Sequence, residues 1–204
     1  MSGTILRSFI LLALLLLVAC SRSPQLPPLP KDGVVLAFGD SITFGIGARP
    51  DQSYPAVLGE LIGKKVVNAG VPGEVTAGGK ARLPEILDRL HPNLLILCLG
   101  GNDFLRGTDL KEAEANLREM VRISKERGTE VLLVGVPRLG WGLDVPDLYR
   151  KIAADNHIPL EEKALKRILA DSSLKSDPIH PNAAGYRQLA EALAGALRKA
   201  AAVP

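Results

Sequence analysis

Leu94-Leu95-Ile96-Leu97-Cys98-Leu99 is an unbroken apolar run, closed by His91-Pro92-Asn93 on one side and Gly100-Gly101 on the other. A run this short, with breakers at both ends, suits a strand better than a helix. Side chains of a strand alternate between two faces, so a strand that is apolar throughout must be covered on both. A parallel sheet sandwiched between helix layers meets that condition. Comparable pieces recur at residues 34–38, 65–69 and 130–136, with a shorter one at 158–160. Helix-period segments separate them at 53–62, 76–90, 109–127, 146–156, 161–170 and 182–201. In the longest central one, Leu110, Ala113, Leu117, Met120, Val121 and Ser124 fall near one face. Thr108 or Asp109 can cap it, and Gly128 can end it. The chain therefore reads as α/β, a three-layer α/β/α sandwich around a mainly parallel five-stranded sheet with right-handed crossovers. Its 204 residues suffice for one such core and are few for two. An aromatic content of 4% fits aliphatic helix-on-sheet packing better than a β-sandwich.

The first residues read as an address. Arg7 precedes an uninterrupted apolar stretch, 9–19, too short to span a bilayer comfortably and as long as a signal-peptide core. It closes on Leu17-Val18-Ala19-Cys20, which resembles the lipobox of bacterial lipoproteins. That resemblance implies cleavage before Cys20, lipidation of its thiol and new amino terminus, and a protein exported and held on a membrane of the cell envelope. The alternative is an ordinary secretory signal in which Cys20 is incidental. Ser21 to Pro30 is too proline-dense for helix or central strand, and reads as a polyproline-type tether. The expected organisation is thus a signal peptide at 1–19, a lipid-anchored tether at 20–32 and a folded domain at 33–204. Arg7 is the only charged residue in 1–19, so the mature chain keeps 24 basic against 22 acidic residues. A near-neutral chain with no basic run has no electrostatic footprint for nucleic acid. With Cys98 inside an apolar run and Cys20 in the lipobox, no disulfide is expected.

In a three-layer parallel fold the ligand crevice lies beyond the carboxyl ends of the strands. Ser41 follows the first strand there, Gly73 the second and Asn102 the third. Several chemistries lack their signatures. No G-x-S-x-G elbow surrounds Ser41. Gly78-Gly79-Lys80 lacks the upstream glycine of a P-loop, and Gly45-Ile46-Gly47 lacks the third glycine of a dinucleotide fingerprint. No H-E-x-x-H or paired-cysteine site indicates zinc. Asp177-Pro178-Ile179-His180-Pro181 does place a carboxylate three residues before an imidazole. In a proline-constrained turn the Asp can accept from Nδ1–H and leave Nε2 free as a general base. His91 falls at the far end of the sheet, and His157 has no evident acid beside it. Gly100-Gly101 lets the backbone approach a bound group, where the Asn102 amide can donate to a developing oxyanion. Asp40 and Asp103 read as loop-bonding residues rather than metal ligands.

Gly39-Asp40-Ser41, Asn68-Ala69-Gly70-Val71-Pro72-Gly73, Gly100-Gly101-Asn102-Asp103 and Asp177-Pro178-Ile179-His180-Pro181 resemble, in order, the four blocks of the SGNH or GDSL hydrolases. The resemblance spans residue 34 to the carboxyl terminus and is greatest toward the bacterial thioesterase I, lysophospholipase and arylesterase branch. It implies a flavodoxin-like fold and a serine esterase acting on carboxylic esters or thioesters through an acyl-Ser41 intermediate. Ser41 would be the nucleophile and His180 the general base oriented by Asp177. The Ser41 N–H, the Gly73 N–H and the Asn102 side chain would form the oxyanion hole. Gly70 is the competing donor, although spacing from Asn68 favours Gly73. Ile42 stands where the family's motif has Leu.

No metal or organic cofactor is called for. The expected partners are a small ester, thioester or lysophospholipid substrate and, through Cys20, a membrane; a monomer is the default expectation. The loop at 137–147 carries Leu139, Trp141 and Leu143, which are candidates for lining an acyl site and equally suited to packing the loop on the next helix. Two other functions use the same letters. A carbohydrate O-acetyl esterase of the envelope would need an open polar crevice, and a non-catalytic binding lipoprotein would not react with a fluorophosphonate.

Overall fold

In the computed structural model, which describes residues 24–139 and 142–204, five strands form one sheet. They are β1 (Val34–Gly39), β2 (Lys65–Gly70), β3 (Leu94–Cys98), β4 (Glu130–Val134) and β5 (Leu160–Glu161). Every pairing is parallel, in the order β2-β1-β3-β4-β5. The unbroken apolar runs take the interior places, with β3 buried along its whole length and β1 and β4 buried beyond their first residue. Edge strand β2 exposes Lys65 and Asn68, and edge strand β5 has only two residues, a length that offers little to a stray strand.

The helices are α1 (Ser41–Phe44), α2 (Tyr54–Ile62), α3 (Thr76–Leu90), α4 (Gly101–Arg106), α5 (Leu110–Glu126), α6 (Leu148–Asn156), α7 (Ala164–Ala170) and α8 (Ala183–Lys199). Helix α2 packs with α8, and α8 with α7; α3 packs with α5, and α5 with α6. Right-handed crossovers explain the division. The β1-to-β2 step runs one way along the sheet and the three later steps run the other way, so α2 falls on one face and α3, α5 and α6 on the opposite one. The reversal lies between β1 and β3, and a crevice opens at such a switch point beyond the strand ends.

Three sequence expectations change. The fourth strand ends at Val134 rather than 136, because the chain turns through Gly135 to Pro137 toward the crevice. The fifth strand is Leu160–Glu161 rather than 158–160. The described part of the 20–32 tether is not a free spacer. The N–H groups of Leu26 and Leu29 donate to the carbonyls of Ala200 and Ala202, both at 2.8 Å, and Leu26 is buried. A polyproline II chain has three residues per turn, so Leu26 and Leu29 share one side and both their amides. That side is what docks, and the folded unit begins at least as early as Leu26.

Candidate active site

Gly39 pairs level with Gly70 on β2 and Cys98 on β3, so the chains leaving these three strands emerge side by side. Glycine is required at 39 by close approach: a Cβ there would lie 2.1 Å from the Cys98 carbonyl oxygen and 2.4 Å from Thr43 Oγ1. Asp40 caps α1, its Oδ1 accepting from the Ile42 N–H at 3.0 Å. Ser41 is then the first residue of α1, where a backbone N–H has no helical partner.

The Asp177–Pro181 turn reaches Ser41 from the other side. Asp177 Oδ1 accepts the N–H groups of Ile179 (2.9 Å) and His180 (2.8 Å), and Oδ2 lies 2.7 Å from His180 Nδ1. His180 Nε2 is 2.9 Å from Ser41 Oγ. With Nδ1–H given to the carboxylate, Nε2 is the free lone pair and Ser41 the donor to it. Burial pushes the Asp177 carboxyl up, but its bonds from the His180 ring and from two backbone N–H groups outweigh that and hold it below the usual carboxylate range.

The loop after β2 separates the two candidate glycines. The Gly70 N–H is taken by Asn68 Oδ1 at 2.9 Å, the Val71 N–H by the Gly39 carbonyl at 2.9 Å and the Glu74 N–H by the Val71 carbonyl at 3.2 Å. Pro72 has none. Gly73, at φ +77°, keeps an N–H with no partner among the described residues, as does Ser41. Asn102 sits in α4, and its Nδ2 donates to the Glu74 carbonyl at 3.0 Å and to Asp40 Oδ2 at 3.2 Å. Both amide hydrogens are thus engaged.

Other residues hold these groups; the sequence marks Asp103 as loop-bonding but reveals neither its partners nor the residues that act with it. Asp103, 1% exposed, accepts Thr76 N–H (2.8 Å) and Thr76 Oγ1–H (2.6 Å), while buried Asn116 donates to Thr76 Oγ1 at 3.1 Å. This ties the start of α3 to the Asn102 helix. Asn116 had one available signal: it is a polar residue set against Leu117 on the apolar side of α5. The Tyr149 hydroxyl donates to the Leu99 carbonyl at 2.8 Å and fixes the β3–α4 loop from below. Short helices α1 and α4, of four and six residues, carry no periodic signal in the sequence either.

Asp40, Ser41, Asn102 and His180 line one cleft together with apolar side chains, among them Ile42, Leu105, Val136, Leu139, Leu169 and Ile179. Of the three loop candidates, Leu139 is on this cleft. Leu143 is half-buried and outside its described lining. Trp141, like Cys20, lies outside the described residues.

The profile of the GDSL-like Lipase/Acylhydrolase family matches residues 37–188. A curated arylesterase from Vibrio mimicus is 29% identical over 176 residues, covering 81% of this chain and 88% of that protein. Thioesterase 1/protease 1/lysophospholipase L1 of Escherichia coli (strain K12) is 32% identical over 157 residues, covering 72% and 75%. Among solved structures, the psychrotrophic esterase EstA from Pseudoalteromonas sp. superposes with a TM-score of 0.75 at 22% identity, over 82% of this chain and 98% of that one. This last likeness is one of fold.

Proposed function

Because the chain belongs to the GDSL-like lipase/acylhydrolase family, and is a serine hydrolase of ester or thioester bonds, we propose that Ser41 is its nucleophile, His180 its general base and Asp177 the residue that orients the base. The observation that carries this reading is the continuous Asp177–His180–Ser41 relay at 2.7 and 2.9 Å. Ser41 Oγ attacks the acyl carbonyl as its proton passes to His180 Nε2. The oxyanion takes the free N–H groups of Ser41 and Gly73, together with Asn102 Nδ2, which gives up its longer bond to Asp40. His180 then protonates the leaving alcohol or thiol, and water admitted to the same base hydrolyses the acyl-serine. The apolar side chains beside Ser41 favour esters and thioesters with a hydrocarbon acyl chain over acetylated sugars, whose hydroxyls would meet hydrocarbon along most of that lining.

In Ser41→Ala, kcat on p-nitrophenyl butyrate falls at least about 10³-fold, with Tm unchanged and fluorophosphonate labelling lost. Retained turnover would remove Ser41 from the mechanism. In the same assays Leu105→Ser and Leu139→Ser lower kcat/KM for octanoyl esters by about fivefold, roughly 1 kcal/mol, and spare acetyl esters. Faster turnover of acetylated sugars than of any alkanoyl ester would favour the O-acetyl esterase reading. We also propose that residues 1–19 are removed on export and that Cys20 carries the lipid anchor.

A further inference from the structure

Arg82 projects from α3 into the ground beneath all three oxyanion-donor segments. Its Nε and Nη2 each lie 2.6 Å from a Glu74 carboxylate oxygen, a two-point ion pair in which the Arg82 side chain is 23% exposed and that of Glu74 7%. Nη2 also donates to the Ala69 carbonyl at 2.8 Å and, more weakly, to the Gly39 carbonyl at 3.3 Å. The guanidinium carbon sits 3.9 Å over the Phe38 ring.

Each of these contacts falls within four residues of an oxyanion donor along the chain. Gly39 is two residues before Ser41. Ala69 is the penultimate residue of β2, four residues before Gly73. Glu74 follows Gly73 directly, and its own carbonyl accepts Asn102 Nδ2. One planar cation therefore links the ends of β1 and β2 to the residue that fixes Asn102 on α4. Packing alone does not account for it, because a part-buried ion pair contributes little net stability compared with apolar side chains of the same volume. What the fork supplies is geometry: fixed donor directions that a lysine ammonium cannot reproduce.

We propose that Arg82 is the positioning residue of the oxyanion site, setting the spacing of the Ser41, Gly73 and Asn102 donors through Gly39, Ala69 and Glu74 without touching substrate. The proposal rests on the oxyanion-hole reading given above. Misplacement of such donors weakens contacts made in the transition state more than those made by bound substrate, so the loss belongs in kcat. It is tested with Arg82→Lys, Glu74→Gln and Asn102→Ala, alone and combined, using p-nitrophenyl butyrate and a thermal melt of each variant. Arg82→Lys lowers kcat on the order of 10- to 100-fold with KM within about twofold. Glu74→Gln, which keeps the side-chain volume and breaks one arm of the pair, gives a smaller loss of the same kind. In the Asn102→Ala background Arg82→Lys costs markedly less than in the wild type, since part of its effect runs through the missing amide. The proposal is overturned if folded Arg82→Lys or Glu74→Gln keeps wild-type kcat, if the loss appears in KM alone, or if it multiplies in full with that of Asn102→Ala. Should Asn102→Ala itself leave kcat unchanged, the oxyanion reading fails at its source. A loss in Asn102→Ala with none in Arg82→Lys removes only the role of Arg82.

Discussion

Asp40, beside the nucleophile, is almost wholly cut off from water: it is 3% exposed, and burial lifts its pKa from 3.8 to about 6. The Ile42 N–H and the charge of His180 pull it down, while Glu74 and Asp103 push it further up. A folded pKa above the unfolded one means that the group's contribution to stability is complete below about pH 3.8 and is lost as pH rises through 6. In Asp40→Asn this loss disappears. Between pH 4 and 7 the variant's unfolding free energy, from urea titrations, should therefore gain about 2–3 kcal/mol on the wild type's. Parallel pH curves for the two proteins would show that Asp40 carries no such burden. That Asp40 bonds the loop backbone could be read from its place after a strand and before a helix start. Its raised pKa could not, because the burial responsible, and the Glu74 and Asp103 charges that add to it, come from segments that follow β2 and β3, far away in the chain.

Elements differ in how much of them local sequence encodes. The runs at 34–38 and 94–99 are apolar in every residue, which already states two-sided burial, and they occupy the centre of the sheet. Helices α1 and α4, of four and six residues, are too short to show a period, and their glycine-rich surroundings read as loop. The segment from Leu26 to Pro30 misleads in the other direction. Its prolines announce an extended chain correctly, but whether such a chain floats or docks depends on two leucines three apart and on the carbonyls at the end of α8. Gly33 N–H donates to the Pro30 carbonyl immediately before β1, which puts this strap at the amino ends of the strands. Leu26→Ala should cost about 2–3 kcal/mol of unfolding free energy, as truncation of a buried leucine does. Since the strap is at the pole away from Ser41, kcat/KM on a soluble ester at 25 °C should stay within twofold. A stability change under 0.5 kcal/mol would return residues 24–30 to the status of a spacer.

The molecule as a whole has two unlike poles. Every exposed large apolar side chain among the described residues, namely Phe44, Val71, Leu105 and Leu139, lies just past the carboxyl end of one of the first four strands, around Ser41. That the catalytic blocks would converge there was legible, because parallel strands deliver all their following loops to one edge. The apolar rim was not: one residue in each of four loops makes no pattern along the chain. The opposite pole receives the strap, whose described part begins at Pro24, four residues after Cys20. A lipid on Cys20 would then hold the domain by its strap end, within roughly 14 Å of chain from the bilayer, with the mouth turned away from that membrane. Anchoring and turnover should be separable as a result. Cys20→Ala should move the protein from the membrane to the soluble fraction and abolish incorporation of labelled palmitate. Its kcat/KM on p-nitrophenyl butyrate should match that of the anchored protein within twofold. Full membrane association of the variant would rule out the lipid. A tenfold or larger difference in kcat/KM would mean that the anchored mouth faces its own bilayer, and that the two poles are closer in function than in structure.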